Sequence, residues 1–236
     1  MILIERTYEN AHSGSQIWSV AALKESEIIT GGGDGSLRTW LCNQMCPQQL
    51  CLPAEVTDNH PKIVKFINDK IIILTNLGGL FLCNTDGKLK ISITLDILKN
   101  YAVMDADDRI VVCGSLDGAV IVLHAESLQI LHETQCTEGK IFALSLLECD
   151  QILVNGVNGI LILMNLTSSS VTEVVRSQLP DCKQRWFSAS SNWRDKIVVG
   201  DRMGGVHVFD KAHLHLIKSF HKLHGRNGVT DIKNSK

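Results

Sequence analysis

One turn-forming glycine recurs along the chain at a nearly constant interval. Five such glycines are separated by 43, 40, 41 and 45 residues: Gly35, Gly78, Gly118, Gly159 and Gly204. Seven residues before each of them, an aliphatic residue opens a short β-rich run: Ile28, Ile71, Val111, Ile152 and Ile197. A period of about 40 to 45 residues is typical of a β-propeller blade, which cannot bury its own apolar surface and must stack on neighbours.

Each period contains several strands. The runs at residues 71–74 and 110–113 are too short and too β-branched for helices, and turn signals close them. A second apolar run follows each glycine, so that the two runs and the turn between them form a hairpin. A third apolar run lies about ten residues before each β-rich run, as at residues 17–20. The pattern predicts an all-β chain of about five propeller blades, each with about four strands.

The repeats extend over residues 1–236, which we interpret as one partial propeller. Residues 2–4 are similar to the last strand of a preceding blade, and a sixth repeat begins near Val229. Propellers usually have about 4 to 8 blades, because closing the ring removes exposed strand edges. We therefore expect an incomplete ring, belonging to a larger multi-propeller protein.

Charge is distributed unevenly, although the formal net charge is only -2. Residues 176–236 carry 12 lysines and arginines against 5 aspartates, while residues 1–175 carry 11 basic and 20 acidic residues. The near-neutral total argues against a protein that coats nucleic acid over its whole surface. The basic C-terminal quarter fits either a polyanionic or acidic partner or a solvated basic face.

Neither a secretory signal nor an apolar run of about 20 residues is recognisable, which predicts a cytoplasmic protein that does not bind membranes. In that compartment the eight cysteines are expected to be reduced: Cys42, Cys46, Cys51, Cys83, Cys113, Cys136, Cys149 and Cys182.

The sequence contains no recognisable catalytic or metal-binding motif. A nucleophile elbow, a phosphate-binding loop before a helix and a zinc-protease helix are all missing. Cys42, Cys46 and Cys51 lack the second paired half of a zinc site, so we interpret them as small buried or loop thiols. His213 and His215 alternate on a predicted strand, where a polar strand face is favoured over a metal. We expect no catalytic residue, cofactor or metal.

Residues 183–187 combine cationic and aromatic side chains at the entry to the fifth blade. In one interpretation Trp186 and Phe187 are core residues, with Lys183 and Arg185 in solvent. In the other, the two cations contact phosphates of a tRNA or carboxylates of a protein. The loop at residues 224–228 is a second candidate for a contact surface.

The first repeat resembles a WD repeat closely, with His12, a Gly-Asp-Gly turn at residues 33–35 and Trp40. Later repeats replace Trp40 by other apolar residues, which preserve the packing but not the signature: Cys83, Leu123, Met164 and Phe209. Residues 179–186, 197–206 and 223–230 resemble more specifically the WD repeat-containing protein six family, and this resemblance covers most of the chain.

The resemblance implies a cytoplasmic, non-catalytic WD-repeat accessory subunit. The family partners an FtsJ-like methyltransferase in 2′-O-methylation of tRNA position 34, with S-adenosylmethionine and the catalytic residues on the enzyme. Proteins of the family are several times longer than this chain. Our candidate contacts for tRNA or the partner are Lys183, Arg185, Arg202, His224 and Arg226.

Two alternatives remain open. The chain could be a generic protein–protein interaction propeller with no role in RNA biology. It could also be an enzyme with its active site in the propeller channel, which we disfavour because no paired acid and base recur at equivalent blade positions.

Overall fold

The computed structural model describes residues 11–24, 27–41, 48–50, 52, 54–58, 60–148, 150–179, 186–225, 227–229 and 232. These residues form five four-stranded antiparallel sheets, in which each strand pairs with the next along the sequence. Helical structure among them is limited to α1 (Ala54–Thr57) and two short 3-10 turns, Asp96–Asn100 and Val157–Gly159. A four-stranded meander is the structure of a propeller blade, so the prediction of five blades is confirmed.

The chain divides into two compact units, Met1–Lys99 and Asn100–Lys236. Unit 1 contains blade 1, with β1 (Ile17–Lys24), β2 (Glu27–Gly32), β3 (Leu37–Leu41) and β4 (Gln48–Gln49), and blade 2, with β5 (Pro61–Ile67), β6 (Lys70–Thr75), β7 (Gly79–Asn84) and β8 (Leu89–Thr94).

Unit 2 contains three blades. Blade 3 has β9 (Tyr101–Ala106), β10 (Ile110–Ser115), β11 (Ala119–His124) and β12 (Ile130–Gln135). Blade 4 has β13 (Ala143–Leu147), β14 (Gln151–Asn155), β15 (Ile160–Leu166) and β16 (Val171–Gln178). Blade 5 has β17 (Phe187–Trp193), β18 (Lys196–Asp201), β19 (Val206–Asp210) and β20 (Leu216–Phe220).

The two central strands of every blade share one register. The aliphatic residue near the start of the second strand always pairs with the residue twelve positions later: Ile28 with Trp40, Ile71 with Cys83, Val111 with Leu123, Ile152 with Met164, and Ile197 with Phe209. All five third-strand members are buried. The position of Trp40 is therefore a packing position in each blade, and degeneration of the WD signature leaves the packing intact.

Neighbouring blades cover both faces of a central strand, as β14 shows in unit 2. Ile152 and Val154 belong to an apolar cluster with residues of blade 3, while Leu153 belongs to another with residues of blade 5. Successive side chains of a strand point to opposite faces. A strand covered on both faces must be apolar at nearly every position, which explains the continuous aliphatic runs in the sequence.

In unit 1, blades 1 and 2 share one buried cluster, to which Ile29, Leu37, Ile73 and Phe81 belong. Blade 1 adds a polar network. The Trp40 indole N–H donates to Thr30 Oγ1 at 2.7 Å, and that oxygen lies 2.7 Å from His12 Nε2. His12 Nδ1 donates to the carboxylate of Asp34 in the hairpin turn at 2.9 Å. The network connects the core of the blade to its turn.

The recurring glycines lie in the hairpin turn between the second and third strands. All five have positive φ, from 67° at Gly159 to 98° at Gly118. At Gly118 an added Cβ would overlap the carbonyl oxygen of Thr137, whereas at Gly225 (φ 66°) nothing lies within 4 Å. Both positions favour glycine because the backbone has positive φ, and at Gly118 there is in addition no room for a Cβ atom.

Comparing Gly118→Ala with Gly225→Ala separates these two effects. Gly225→Ala should lower the free energy of unfolding by about 1 kcal/mol, the cost of a left-handed L-residue. Gly118→Ala should cost about 3 kcal/mol or more, because a carbonyl group must move as well. Urea unfolding followed by circular dichroism measures both. Equal losses would show that the contact with Thr137 does not constrain the turn.

Candidate functional site

The candidate site lies in unit 2, where the first strands of three blades begin. Phe142 directly precedes β13 of blade 4, and Trp186 directly precedes β17 of blade 5. A cleft of about 480 Å³ opens beside them and is lined by residues of all three blades: Ala102, Val103, Lys140, Phe142, Ser188, Arg202 and Gly228.

Four side chains at this cleft form an aromatic–basic cluster, which we define as Lys140, Phe142, Trp186 and Arg202. The rings of Phe142 and Trp186 stack, with centroids 5.3 Å apart and planes 10° apart. The Arg202 guanidinium lies 5.2 Å from the Phe142 centroid and 5.4 Å from the Trp186 centroid. Lys140 Nζ lies 5.2 Å from the Phe142 centroid. Cations at these distances are attracted to the ring faces.

Buried hydrogen bonds hold the turn that presents Arg202. The backbone N–H of Arg202 donates to the carbonyl of Trp186 at 3.1 Å. The preceding residue, Asp201, accepts backbone N–H groups from Met203 at 2.7 Å and Gly205 at 2.8 Å through one carboxylate oxygen. Its other oxygen bonds to His207 Nε2 at 2.9 Å. Arg202 is exposed, and these hydrogen bonds fix the backbone of the turn that carries it.

The carboxylate of Asp201 is almost fully buried, and so is the ring of His207. Burial raises the pKa of Asp201, but hydrogen bonds from His207 and from the Gly205 and Met203 amides outweigh it. The net result is a pKa below the ordinary value of 3.8. Asp201 is thus an ionised structural group under the turn.

Two of the five predicted contact residues are brought onto adjacent loops. Arg202 and His224 are both exposed, and the backbone N–H of His224 donates to the carbonyl of Gly204, two residues after Arg202, at 3.1 Å. Lys183, Arg185 and Arg226 lie outside the described residues.

The two aromatic residues predicted as core differ in burial. Phe187 is fully buried, whereas Trp186 is half-buried beside Arg202. Of the two interpretations left open by the sequence, the core interpretation therefore describes Phe187 fully and Trp186 only in part. Phe142 and Lys140 were missed, although their position at the entry to blade 4 corresponds to that of residues 183–187 at blade 5.

The other predicted polar groups have structural roles. Burial raises the pKa of Cys83 and Cys136 to about 11 and that of Cys113 to about 12, so these thiols stay protonated. His213 and His215 precede β20 instead of lying on it, and their backbone N–H groups donate to Asp210. Within the described part of the chain, no group of three or more His, Cys, Asp or Glu side chains is placed to hold a metal.

Cys42, Cys46 and Cys51 are outside the described residues. No described helix has the length and apolar character that a bilayer crossing requires.

Solved structures resemble this chain over most of its length. The computationally designed Ika8 protein matches 93% of this chain and 65% of its own, with a TM-score of 0.73 and 17% identity. The β-propeller domain of Cps50 (Swd1) from Myceliophteria thermophila matches 90% of this chain and 73% of its own, with a TM-score of 0.67 and 10% identity. BamB from Moraxella catarrhalis matches 88% and 62%, with a TM-score of 0.59 and 16% identity. Together with the five sheets, these likenesses define the fold as an all-β propeller.

No protein-family model matches the chain. In sequence it is similar to the tRNA (34-2'-O)-methyltransferase regulator WDR6 of Rattus norvegicus, with 23% identity over 280 residues. The match covers 94% of this chain and 25% of WDR6, so the chain spans about a quarter of the length of that relative. The fold and this similarity support a propeller of the WD-repeat type.

The role of Asp201 can be tested through acid stability. Asp201→Asn should lower the free energy of unfolding by about 2 kcal/mol at pH 6, because a charge-assisted buried hydrogen bond is lost. The folded-state pKa is depressed, so the stabilisation is complete above the unfolded-state pKa near 4 and disappears as pH falls through the folded value. The difference in free energy of unfolding between the wild-type protein and Asp201→Asn should therefore shrink below about pH 4.

Asp195→Asn is the matched control for this measurement. Asp195 is an exposed aspartate in the same blade, and its bond to Lys196 is solvent-screened, so its removal should leave the urea midpoint unchanged. A stability difference for Asp201→Asn that persists unchanged at low pH would contradict the assignment of an ionised carboxylate.

Proposed function

We propose that this chain is a non-catalytic WD-repeat scaffold that partners an FtsJ-like methyltransferase in 2′-O-methylation of tRNA position 34. The observation that carries the proposal is the similarity to the regulator WDR6 along 94% of the chain. The candidate segments at residues 179–186, 197–206 and 223–230 contribute the more specific resemblance.

The architecture supports a scaffold. Stacked blades hold loops and strand ends at fixed positions. Binding residues usually lie on loops that a rigid scaffold positions in this way. In this proposal the partner enzyme holds S-adenosylmethionine and the catalytic residues, and the propeller docks the enzyme and positions the tRNA. The complex would act in the cytoplasm, without membrane attachment.

The proposed contacts for tRNA or the partner are the five residues chosen from the sequence: Lys183, Arg185, Arg202, His224 and Arg226. Arg202 and His224 are supported by their exposure on adjacent loops of blade 5. Arginine is suited to phosphate because its planar guanidinium can donate two parallel hydrogen bonds.

The alternative is a protein–protein interaction propeller with no role in RNA biology. It is favoured by apolar side chains at the outer edge of blade 5. Leu216, Ile217 and Phe220 of β20 are 40%, 54% and 38% exposed, and Leu223 beyond it is 61% exposed. An edge strand with several exposed apolar side chains is one kind of protein contact surface.

Deleting the gene and measuring 2′-O-methylation of tRNA position 34 by mass spectrometry tests the proposal. We expect the methyl group to be lost at this position and restored by re-expression, while other modifications of the same tRNA stay unchanged as an internal control. The full-length protein should also co-purify an FtsJ-like methyltransferase. Retained methylation, with recovery of unrelated proteins, would favour the alternative.

A further inference from the structure

We propose that the aromatic–basic cluster of unit 2 binds single-stranded RNA, with an unpaired base on the Phe142–Trp186 stack and adjoining phosphates on Arg202 and Lys140. This inference rests on the proposed function, because it assigns the RNA-contacting surface of the same scaffold. It adds a binding mode and two residues, Phe142 and Lys140, that the sequence did not identify.

The first argument is the charge of the cluster. In the part of the chain that the structure describes, no carboxylate lies within ion-pair distance of Arg202 or Lys140. Two other clefts of unit 2 differ in this respect. Arg176 lines one of about 560 Å³ and is paired with Glu173, and Arg109 lines one of about 370 Å³ and is paired with Asp150. Of these three clefts, the one at the cluster has cations available to an anionic ligand.

The second argument is the exposed aromatic surface. Phe142 and Trp186 are each half-buried, although large aromatic side chains at blade entries could be fully buried, as Phe187 is. The two rings are stacked and nearly parallel, so a nucleobase could extend the stack on an outer ring face. An acidic peptide would use the cations but not the rings, whereas single-stranded nucleic acid uses both. The combination therefore favours RNA with unpaired bases.

The third argument is preorganisation. The backbone bond from Arg202 to Trp186, the buried Asp201–His207 pair and the packing of Gly228 against the Arg202 backbone fix the turn before any ligand binds. An added Cβ at Gly228 would lie 3.0 Å from Arg202 Cα. A fixed turn lowers the entropic cost of binding through the otherwise flexible arginine.

Fluorescence anisotropy with the full-length protein and a labelled oligouridylate tests the proposal. We expect tighter binding to this single strand than to a duplex of equal length. Trp186→Ala should raise Kd about tenfold, in the range of one lost base stack, and Trp186→Phe should keep most of the affinity. Arg202→Gln should raise Kd about fivefold and reduce the salt dependence by about one phosphate contact, while Arg202→Lys should retain that dependence.

Blade 5 offers a matched control at the other end of β17. The Arg194 guanidinium lies 5.5 Å from the centroid of the Trp193 ring, an exposed cation–aromatic pair without a second ring. Trp193→Ala and Arg194→Gln should leave the Kd for oligouridylate unchanged. Thermal unfolding of every variant identifies any that are misfolded, and the exposed Arg202 variants remain informative if Trp186→Ala is not stable.

Quenching of tryptophan fluorescence provides a second readout. A stacked base should quench Trp186, so oligouridylate should quench the wild-type protein, and Trp186→Phe should remove that quenching while RNA still binds. Equal quenching in both proteins would place the base elsewhere.

Three results would overturn the inference: equal affinity for duplex and single strand, equal effects at the control pair, or displacement by polyglutamate as effective as by unlabelled oligouridylate. The last result would assign the cluster to an acidic peptide. None of them depends on methylation at tRNA position 34. That modification could require the protein even if this cluster does not bind RNA, so the two proposals can fail separately.

Discussion

Burial of central strands on both faces, as in blades 3 and 4, is the constraint on which this structure depends. A single sheet cannot satisfy it, because one strand such as β14 contributes Ile152 and Val154 to one apolar cluster and Leu153 to another. The constraint explains why all five blades use one register between their second and third strands. In blade 4 a slip of one residue would exchange the two faces, one of which is matched to blade 3 and the other to blade 5.

Features set by local chemistry could be predicted from the sequence. The turn glycines were recognisable because positive φ, near 98° at Gly118, is disfavoured for other residues. The strands were recognisable because two-sided burial demands unbroken aliphatic runs. The WD signature of the first blade was recognisable from His12, Asp34 and Trp40, and the structure adds the hydrogen bonds that connect them, with Thr30 between His12 and Trp40. Each of these signals lies within one repeat.

The aromatic–basic cluster could be predicted only in part, because its members come from separate repeats. Residues 183–187 and 202 were chosen for their charge and resemblance, but the contacts of Trp186 and Arg202 involve Phe142, more than 40 positions earlier. Nothing in the sequence around Lys140 distinguishes a ring-capping cation from a solvated lysine. His213 and His215 illustrate the opposite error. Alternation predicted a strand, but Asp210 accepts their backbone N–H groups and delays the start of β20 to Leu216.

The hairpin turns show how a repeated scaffold can acquire one specialised surface. Three residues before the recurrent glycine, Thr75, Ser115 and Asp201 each accept the backbone N–H group that follows that glycine. Because the side chain at this position closes the turn, the next residue is free to vary: it is Asn76 in blade 2, Leu116 in blade 3 and Arg202 in blade 5. Blade 5 thus carries a cation where blades 2 and 3 carry neutral residues, and the same turn geometry directs it toward the rings at the entries to blades 4 and 5. The separation between a turn-closing residue and a variable neighbour allows a binding surface to change without loss of the fold.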